Sequence, residues 1–264
     1  AMSDAKPASD SLMPKTAFIT GATSGFGAAC ARRFAQDGWR LILCGRRLER
    51  LNTLRDQLAT VVPVYAFPLD VRDEAAVNAA ITALPAEFAE VDLLLNNAGL
   101  ALGLEPAHRC DMQDWETMID TNIKGLLYCT RALLPGMVAR QRGHVINIGS
   151  VAGNYPYPGG NVYGGTKAFV KQFSRNLRAD LLGTRVRVTN IEPGMAESEF
   201  SLVRFKGDDG KAAQVYQNVQ PLQPEDIADA VFWVATRPEH VNINRMELMP
   251  VCQAFAPFAI SREG

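Results

Sequence analysis

The chain has 264 residues, of which 47 % are apolar and 21 % charged, and its formal charge is −1. That balance leaves no cationic footprint for a polyanion, so nucleic acid is excluded as an expected partner, and no apolar run reaches the ~18 residues of a membrane span. The five cysteines, Cys30, Cys44, Cys110, Cys129 and Cys252, form no close pair and leave one over, so they are expected to be reduced in a cytoplasmic protein.

Residues 1–14 are small, polar and broken by Pro7, with neither an apolar run nor an Arg-rich amphipathic pattern, and read as a flexible leader. From Lys15 onward, short apolar strands alternate with longer amphipathic segments. Strands are expected at 16–20, 40–44, 62–67, 91–95, 144–148, 186–191 and 245–251. Helices are expected at 25–37 (stopped by Gly38), 48–59, 74–84, 114–140, 162–182 and 224–235. Near-continuous Val, Ile and Leu strands between helices specify a parallel sheet covered on both faces. Right-handed crossovers wind it doubly, with ligands beyond the carboxyl ends of the strands. The expected fold is therefore α/β: a single-domain, Rossmann-type, doubly wound parallel sheet of about seven strands over 15–251, followed by a tail at 252–264.

Between the first strand and the first helix lies Thr20-Gly-Ala-Thr-Ser-Gly-Phe-Gly27. Gly21 permits a tight turn, while Gly25 and Gly27 let backbone and helix approach a pyrophosphate, which meets the free N–H groups of the helix start. Gly21, Thr23, Ser24, Gly25, Phe26 and Gly27 are thus expected to bind a dinucleotide. After the second strand, where a carboxylate would select NAD, the chain has Arg46 and Arg47. Guanidinium groups suit a phosphate, so the expected cofactor is NADP; the competing reading makes both arginines solvated helix-start residues. Asp70, followed by Val71, has two open readings: acceptor for the adenine amino group, or cap of the helix beginning near Asp73.

The chemistry is expected at Tyr163-Gly-Gly-Thr-Lys167, with Ser150 thirteen positions before the tyrosine at the end of a strand. A phenol has an ordinary pKa of about 10. A lysine four residues along a helix lies on the same face, and its charge favours the phenolate. A serine hydroxyl beside the pair can hold a carbonyl or alcohol oxygen while the proton moves. These residues fit interconversion of alcohol and carbonyl, which requires a hydride carrier. His108, His144 and His240 lack metal-ligand spacing, so no metal is expected.

Together Thr20–Gly27, Asp70-Val71, Asn96-Asn-Ala-Gly99, Asn122, Ser150, Tyr163 with Lys167, and Pro193-Gly194 resemble the short-chain dehydrogenase/reductase family from Lys15 to about Val251. Within it, the segments 98–103, 114–122, 159–163 and 199–207 resemble the NADP-dependent 3-hydroxy acid dehydrogenases, which act on serine, allo-threonine and 3-hydroxypropionate. The resemblance implies Tyr163 as acid/base and Lys167 as both its pKa-lowering cation and a ligand of the nicotinamide ribose. It implies Ser150 as the group orienting the substrate oxygen, and Asn122 as holder of a relay water. Asn97, Ala98 and Gly99 would line the adenosine ribose side, and Pro193, Gly194 and Ser198 the nicotinamide side. Ser198 stands where the family usually has threonine, keeping the hydroxyl without the β-branch. Taken singly, Asn122 reads as a satisfied buried amide, Tyr163 as a core aromatic, Ser150 as a strand-end cap, and Pro193 and Gly194 as shaping the exit of the sixth strand.

The stretch 195–220 is expected to be a long loop covering the substrate. In it Arg204, then Lys206, is the candidate for a substrate carboxylate, against a reading as solvated charges. Gly159 and Gly160 are read as allowing close substrate approach, and Tyr155 and Tyr157 as narrowing the pocket. Val162, Phe169, Phe173 and Leu177 read first as a core-facing stripe. The resemblance also implies a homotetramer, and the apolar tail residues 255–260 are expected to pack on a neighbour. The rivals to a hydroxy-acid dehydrogenase are a broad carbonyl reductase and a non-catalytic NADP-binding regulator.

Overall fold

A computed structural model describes residues 13–197 and 205–262. Its centre is one seven-stranded parallel sheet in the order β3-β2-β1-β4-β5-β6-β7. The strands are β1 Thr16–Ile19, β2 Arg40–Gly45, β3 Val64–Pro68, β4 Leu93–Asn96, β5 Gly143–Ile148, β6 Val186–Pro193 and β7 Arg245–Leu248. Winding runs outward in one direction from β1 and in the other from β4, so a crevice opens at the carboxyl ends of these two neighbours.

Successive strand residues feed opposite faces, which is why the strands carry apolar residues at nearly every position. Ala17, Ile19, Leu41, Leu43, Leu93, Leu95 and Ile146 pack against α1 (Gly25–Gln36), α2 (Leu48–Leu58) and the helix Pro224–Ala235. Phe18, Ile42, Cys44, Leu94 and Val145 pack on the other face against α3 (Glu74–Thr82) and two longer helices, Leu126–Arg140 and Asn161–Asp180. Burial pushes the thiols of Cys30 and Cys129 up to about 12, and all five cysteines are free. Among the described residues, no helix is long and apolar enough to cross a membrane.

Three elements depart from the sequence expectation. The helix expected at 114–140 is α4 (Met112–Ile119), a π-helical turn (Asp120–Gly125) and then α5 (Leu126–Arg140). The turn lies where Gly125 passes the β3–α3 connection: a Cβ there would sit 3.0 Å from that of Val71. The expected loop at 195–220 contains a short helix, α7 (Asp209–Val215), capped by Asp208, whose carboxylate accepts from the Lys211 N–H at 3.0 Å. The last strand stops at Leu248 instead of Val251, because Pro250 cannot extend a ladder.

On α6 (Asn161–Asp180) the buried face is Tyr163, Thr166, Lys167, Val170, Ser174 and Leu177. Phe169 is exposed, and Phe173 lies beside it with ring centroids 5.9 Å apart. Val162 packs beside Tyr163, Phe173 packs on the core and Leu177 is buried in it, so the stripe faces the core except at Phe169. A spacing of four drifts about 40° per step around a helix, which carries it from exposed Phe169 to buried Leu177. The final helix is α8 (Pro224–Ala235), and beyond Leu248 the described chain is extended, with Phe255, Phe258 and Ile260 exposed.

Candidate active site

The crevice begins at the Gly-rich turn. Gly21 has φ +58°, which suits a residue without Cβ, and Ser24 caps α1 by accepting from the Gly27 N–H at 3.4 Å. A Cβ on Gly27 would lie 2.7 Å from Asn97 Nδ2 and 2.9 Å from Ala22 Cα, so the helix start can close on the turn only with glycine there. Asn97 braces the turn from β4: its Nδ2 donates to Gly21 O and to Ser24 Oγ, both at 3.0 Å. Thr20 Oγ1 accepts from the Asn97 and Ala98 N–H groups at 3.0 Å. The result is a braced rim at the start of α1, and a helix N-terminus of this kind is suited to receive a phosphate.

Beside this rim, Arg47 Nη2 donates to Thr23 O at 3.3 Å and Thr23 Oγ1 at 3.4 Å, while Arg46 stands exposed with Nε 4.0 Å from Asp70 Oδ2. Two guanidinium groups and a threonine hydroxyl thus share one solvent-facing corner at the end of β2, a donor set that fits an added phosphate on an adenosine ribose. Asp70 does not cap α3; Asp73 does, accepting from the Ala76 N–H at 3.0 Å. Asp70 instead forks with Arg72, Oδ2 accepting from Nη2 at 2.7 Å. Those bonds hold its carboxyl below the usual range despite partial burial. Arg72 carried no motif and was invisible to sequence reasoning.

The side chains expected to carry the chemistry lie at the carboxyl end of β5 and the start of α6. Ser150 Oγ accepts from the Ala152 N–H at 3.0 Å, so it is the strand-end cap, and the cap leaves its hydroxyl hydrogen to be donated. Lys167 is 7 % exposed and donates to Ile148 O at 3.0 Å, and burial brings its pKa down to about 8. Its Nζ lies 5.8 Å from the Tyr163 ring centroid, with Tyr163 buried against Ala101 and Met118.

Asn122, in the π-helical turn, clamps the strand β4 exit. Its Oδ1 accepts from the Leu100 N–H at 2.9 Å, and its Nδ2 donates to Leu100 O at 2.8 Å and Thr166 Oγ1 at 3.1 Å. Both amide hydrogens are committed, so the satisfied-amide reading describes this side chain. Thr166, which no motif flagged, also donates to Tyr163 O at 2.7 Å. A Cβ on Gly99 would sit 3.2 Å from Asn122 Oδ1 and 3.4 Å from Lys167 Nζ, so glycine keeps the space between them open.

On the far wall, Gly194 donates to Leu248 O at 2.7 Å, and Gln253 Oε1 accepts from the Met195 N–H at 2.8 Å. Ser198 and Arg204 lie outside the described residues. Lys206 pairs with Asp114 at 2.9 Å, which ties its stretch to α4. Gly160 makes room for the ring of Tyr157, not for a substrate: a Cβ there would lie 2.7 Å from that ring. Gly159, at φ +81°, is pressed against the Leu104 backbone. Tyr155 turns away, donating to Glu247 Oε1 at 3.0 Å and packing on Phe255.

The chain matches the short chain dehydrogenase family over residues 15–207. It is 61 % identical over 245 residues to the NADP-dependent 3-hydroxy acid dehydrogenase YdfG of Salmonella typhimurium, covering 92 % of this chain and 98 % of that one. It is 55 % identical to sulfoacetaldehyde reductase 2 of Chromohalobacter salexigens, covering 95 % and 100 %. Among solved structures, the closed form of serine dehydrogenase complexed with NADP+ superposes with a TM-score of 0.92 at 59 % identity, covering 94 % of this chain and 100 % of that one. The crevice, the serine–tyrosine–lysine convergence and these matches agree: the protein belongs to the short-chain dehydrogenase family.

Proposed function

We propose that the protein is an NADP-dependent dehydrogenase that interconverts small 3-hydroxy acids, such as serine, allo-threonine and 3-hydroxypropionate, with their 3-oxo acids or semialdehydes. The observation that carries the reading is the convergence of Ser150, Tyr163 and buried Lys167 in one crevice with the two-arginine corner at its other end. Arg46, Arg47 and Thr23 hold the ribose phosphate of NADP, and the start of α1 holds its pyrophosphate. Asp70 and Val71 border the adenine, Asn97 to Gly99 the adjoining ribose, and Pro193, Gly194 and Ser198 the nicotinamide. When bound, NADP supplies the hydride acceptor or donor.

The protein's own groups handle the proton. Ser150 donates its hydroxyl hydrogen to the substrate oxygen and fixes the carbinol carbon. Tyr163 takes the alcohol proton from that oxygen in oxidation and returns it in reduction. Lys167, with a pKa of about 8, is mostly cationic at neutral pH, and its charge in a water-poor site favours the tyrosinate. Proton exchange with solvent runs past Lys167 along the space that Gly99 leaves beside Asn122. Arg204 receives the substrate carboxylate. The enzyme is a cytoplasmic homotetramer in this reading, supported by the exposed Phe169 and the exposed apolar tail, and light scattering of the eluted protein tests it.

A second reading has one specific observation in its favour, the similarity to a sulfoacetaldehyde reductase. In it, a sulfonate replaces the carboxylate on an otherwise similar small aldehyde. Initial rates of NADP reduction with 3-hydroxypropionate, 2-hydroxyethanesulfonate and 1-propanol separate the possibilities. Turnover of the carboxylate in strong preference to the other two is expected. Preference for the sulfonate selects the second reading, and comparable or absent turnover of all three overturns both in favour of a carbonyl reductase or a regulator.

A further inference from the structure

Behind the reaction site, two carboxylates sit side by side in a way that the fold alone does not require. Glu192 on β6 and Glu247 on β7 are register partners in the sheet. Like charges directly opposite on neighbouring strands are destabilising. Glu192 is 1 % exposed, so its charge also bears the cost of burial. Arg245 offsets part of this with a fork onto Glu192, Nε to Oε2 at 2.8 Å and Nη2 to Oε1 at 2.6 Å. Burial raises the Glu192 pKa, but the bonds from Arg245 and Asn154 overcome it and hold the group below the usual carboxylate range.

Asn154 joins the two acids. Its Nδ2 donates to Glu192 Oε1 and, at 2.8 Å, to Glu247 Oε2, and its Oδ1 accepts from Lys171 Nζ at 2.8 Å. Tyr155 adds its bond to Glu247. These residues end the short segment that begins at Ser150. That segment is pressed on the catalytic helix, where a Cβ on Gly153 would lie 2.6 Å from the Lys167 carbonyl carbon. Glu192 immediately precedes Pro193 and Gly194, so one buried carboxylate meets both the serine segment and the opposite wall of the crevice.

We infer that Asn154, held between Glu192 and Glu247, is a positioning residue that sets where Ser150 stands relative to the opposite wall of the crevice. The inference rests on the catalytic reading of Ser150 given above. A displacement of about 1 Å at a reacting group can cost up to a hundredfold in rate.

The test is a double-mutant cycle in the full-length enzyme with NADP and 3-hydroxypropionate. Asn154→Ala is expected to lower kcat about tenfold and leave the Kd for NADPH, read by its fluorescence, within twofold. In a Ser150→Ala background the same substitution is expected to cost nothing further, because the group it positions is gone. Tyr155→Phe, which removes only one bond at the edge of the network, is expected to lower kcat two- to threefold and to show the same dependence on Ser150. It keeps the cycle available if Asn154→Ala does not fold. An equal loss in both backgrounds, or no loss in either, overturns the inference. A Ser150→Ala enzyme with the kcat of the parent instead overturns the catalytic reading of Ser150 on which it stands.

Discussion

At the proposed adenosine end of the crevice, Arg46 and Arg47 reach solvent, where their charges are screened, Arg47 against Thr23 and Arg46 4.0 Å from Asp70. At the reaction end, Lys167 is 7 % exposed and its charge is held against burial. Both ends place cations at the carboxyl ends of the strands, yet they do different work. An exposed guanidinium changes which cofactor binds and how salt affects it. A buried ammonium changes the protonation of its neighbours, at a cost in stability that an exposed one does not incur.

Tyr163→Phe tests the reaction end most severely. Removing an acid/base group costs about 10²- to 10⁴-fold. A loss of that size in kcat is expected, with the Kd for NADPH unchanged; a kcat within tenfold of the parent would remove Tyr163 from the proton path. At the other end, replacing Arg46 and Arg47 together with Ala removes charge-assisted bonds worth about 1.5–3 kcal/mol each when made. The KM for NADP should rise on the order of a hundredfold and lose its salt dependence, while kcat at saturation stays put. A fall in kcat at saturating NADP would blur the division between the two ends.

Lys167→Met sharpens the contrast through stability. The folded pKa of Lys167 is about 8, below the ordinary 10.5. Below pH 8 both folded and unfolded chains carry the proton, and the burial cost is fully present. Between about 8 and 10.5 the unfolded chain binds more protons, so the contribution of this group to stability rises with pH. The cost below pH 8 is on the order of 3 kcal/mol. Lys167→Met should therefore abolish turnover, raise the Tm at pH 7 by several degrees and flatten the alkaline rise. An unchanged Tm between pH 7 and pH 10 in both proteins would show that the ammonium is not buried at a cost. The smallest effect is expected from Arg204→Met, a rise of about tenfold in the KM for hydroxy acids with little change for uncharged alcohols. An unchanged KM would assign the carboxylate to another residue.

The sheet was legible because buried parallel strands must be apolar on both faces, and runs such as 16–19 and 40–44 admit few other readings. Gly21 and Ser24 were legible for a related reason: a tight turn and a helix cap each demand a particular residue type at a fixed place. The break at 120–125 was not. Asp-Thr-Asn-Ile-Lys-Gly is rich in weak helix formers but has no proline, and nothing in it separates a wide turn from a regular one. The turn sits where the chain meets Val71 and where Asn122 clamps Leu100, both tertiary contacts. Asn154, Glu192 and Arg245 escaped notice because they meet across separations of 38 and 53 positions that no local pattern records. Phe169 was misread for the opposite reason: an apolar spacing of four looks local and helical, but its drift puts Leu177 on the buried face and leaves Phe169 outside it. For Asp70, both readings were reasonable locally; the capping one fails because Asp73 caps α3, while Asp70 pairs with Arg72 two residues away.

The π-helical turn also stores one residue of chain length. Closing rings one residue wider than an α-helix, the stretch 120–125 turns the chain through about the angle that one residue fewer would cover in a regular helix. Deleting a single residue there would restore a regular helix with α4 and α5 still in phase, Met118 beside Tyr163 and Cys129, Leu133 and Met137 in the core. What would go is the widened turn that seats Asn122 against Leu100. A deletion within α5 itself has no such slack and would swing the residues beyond it by about 100° away from the core they fill.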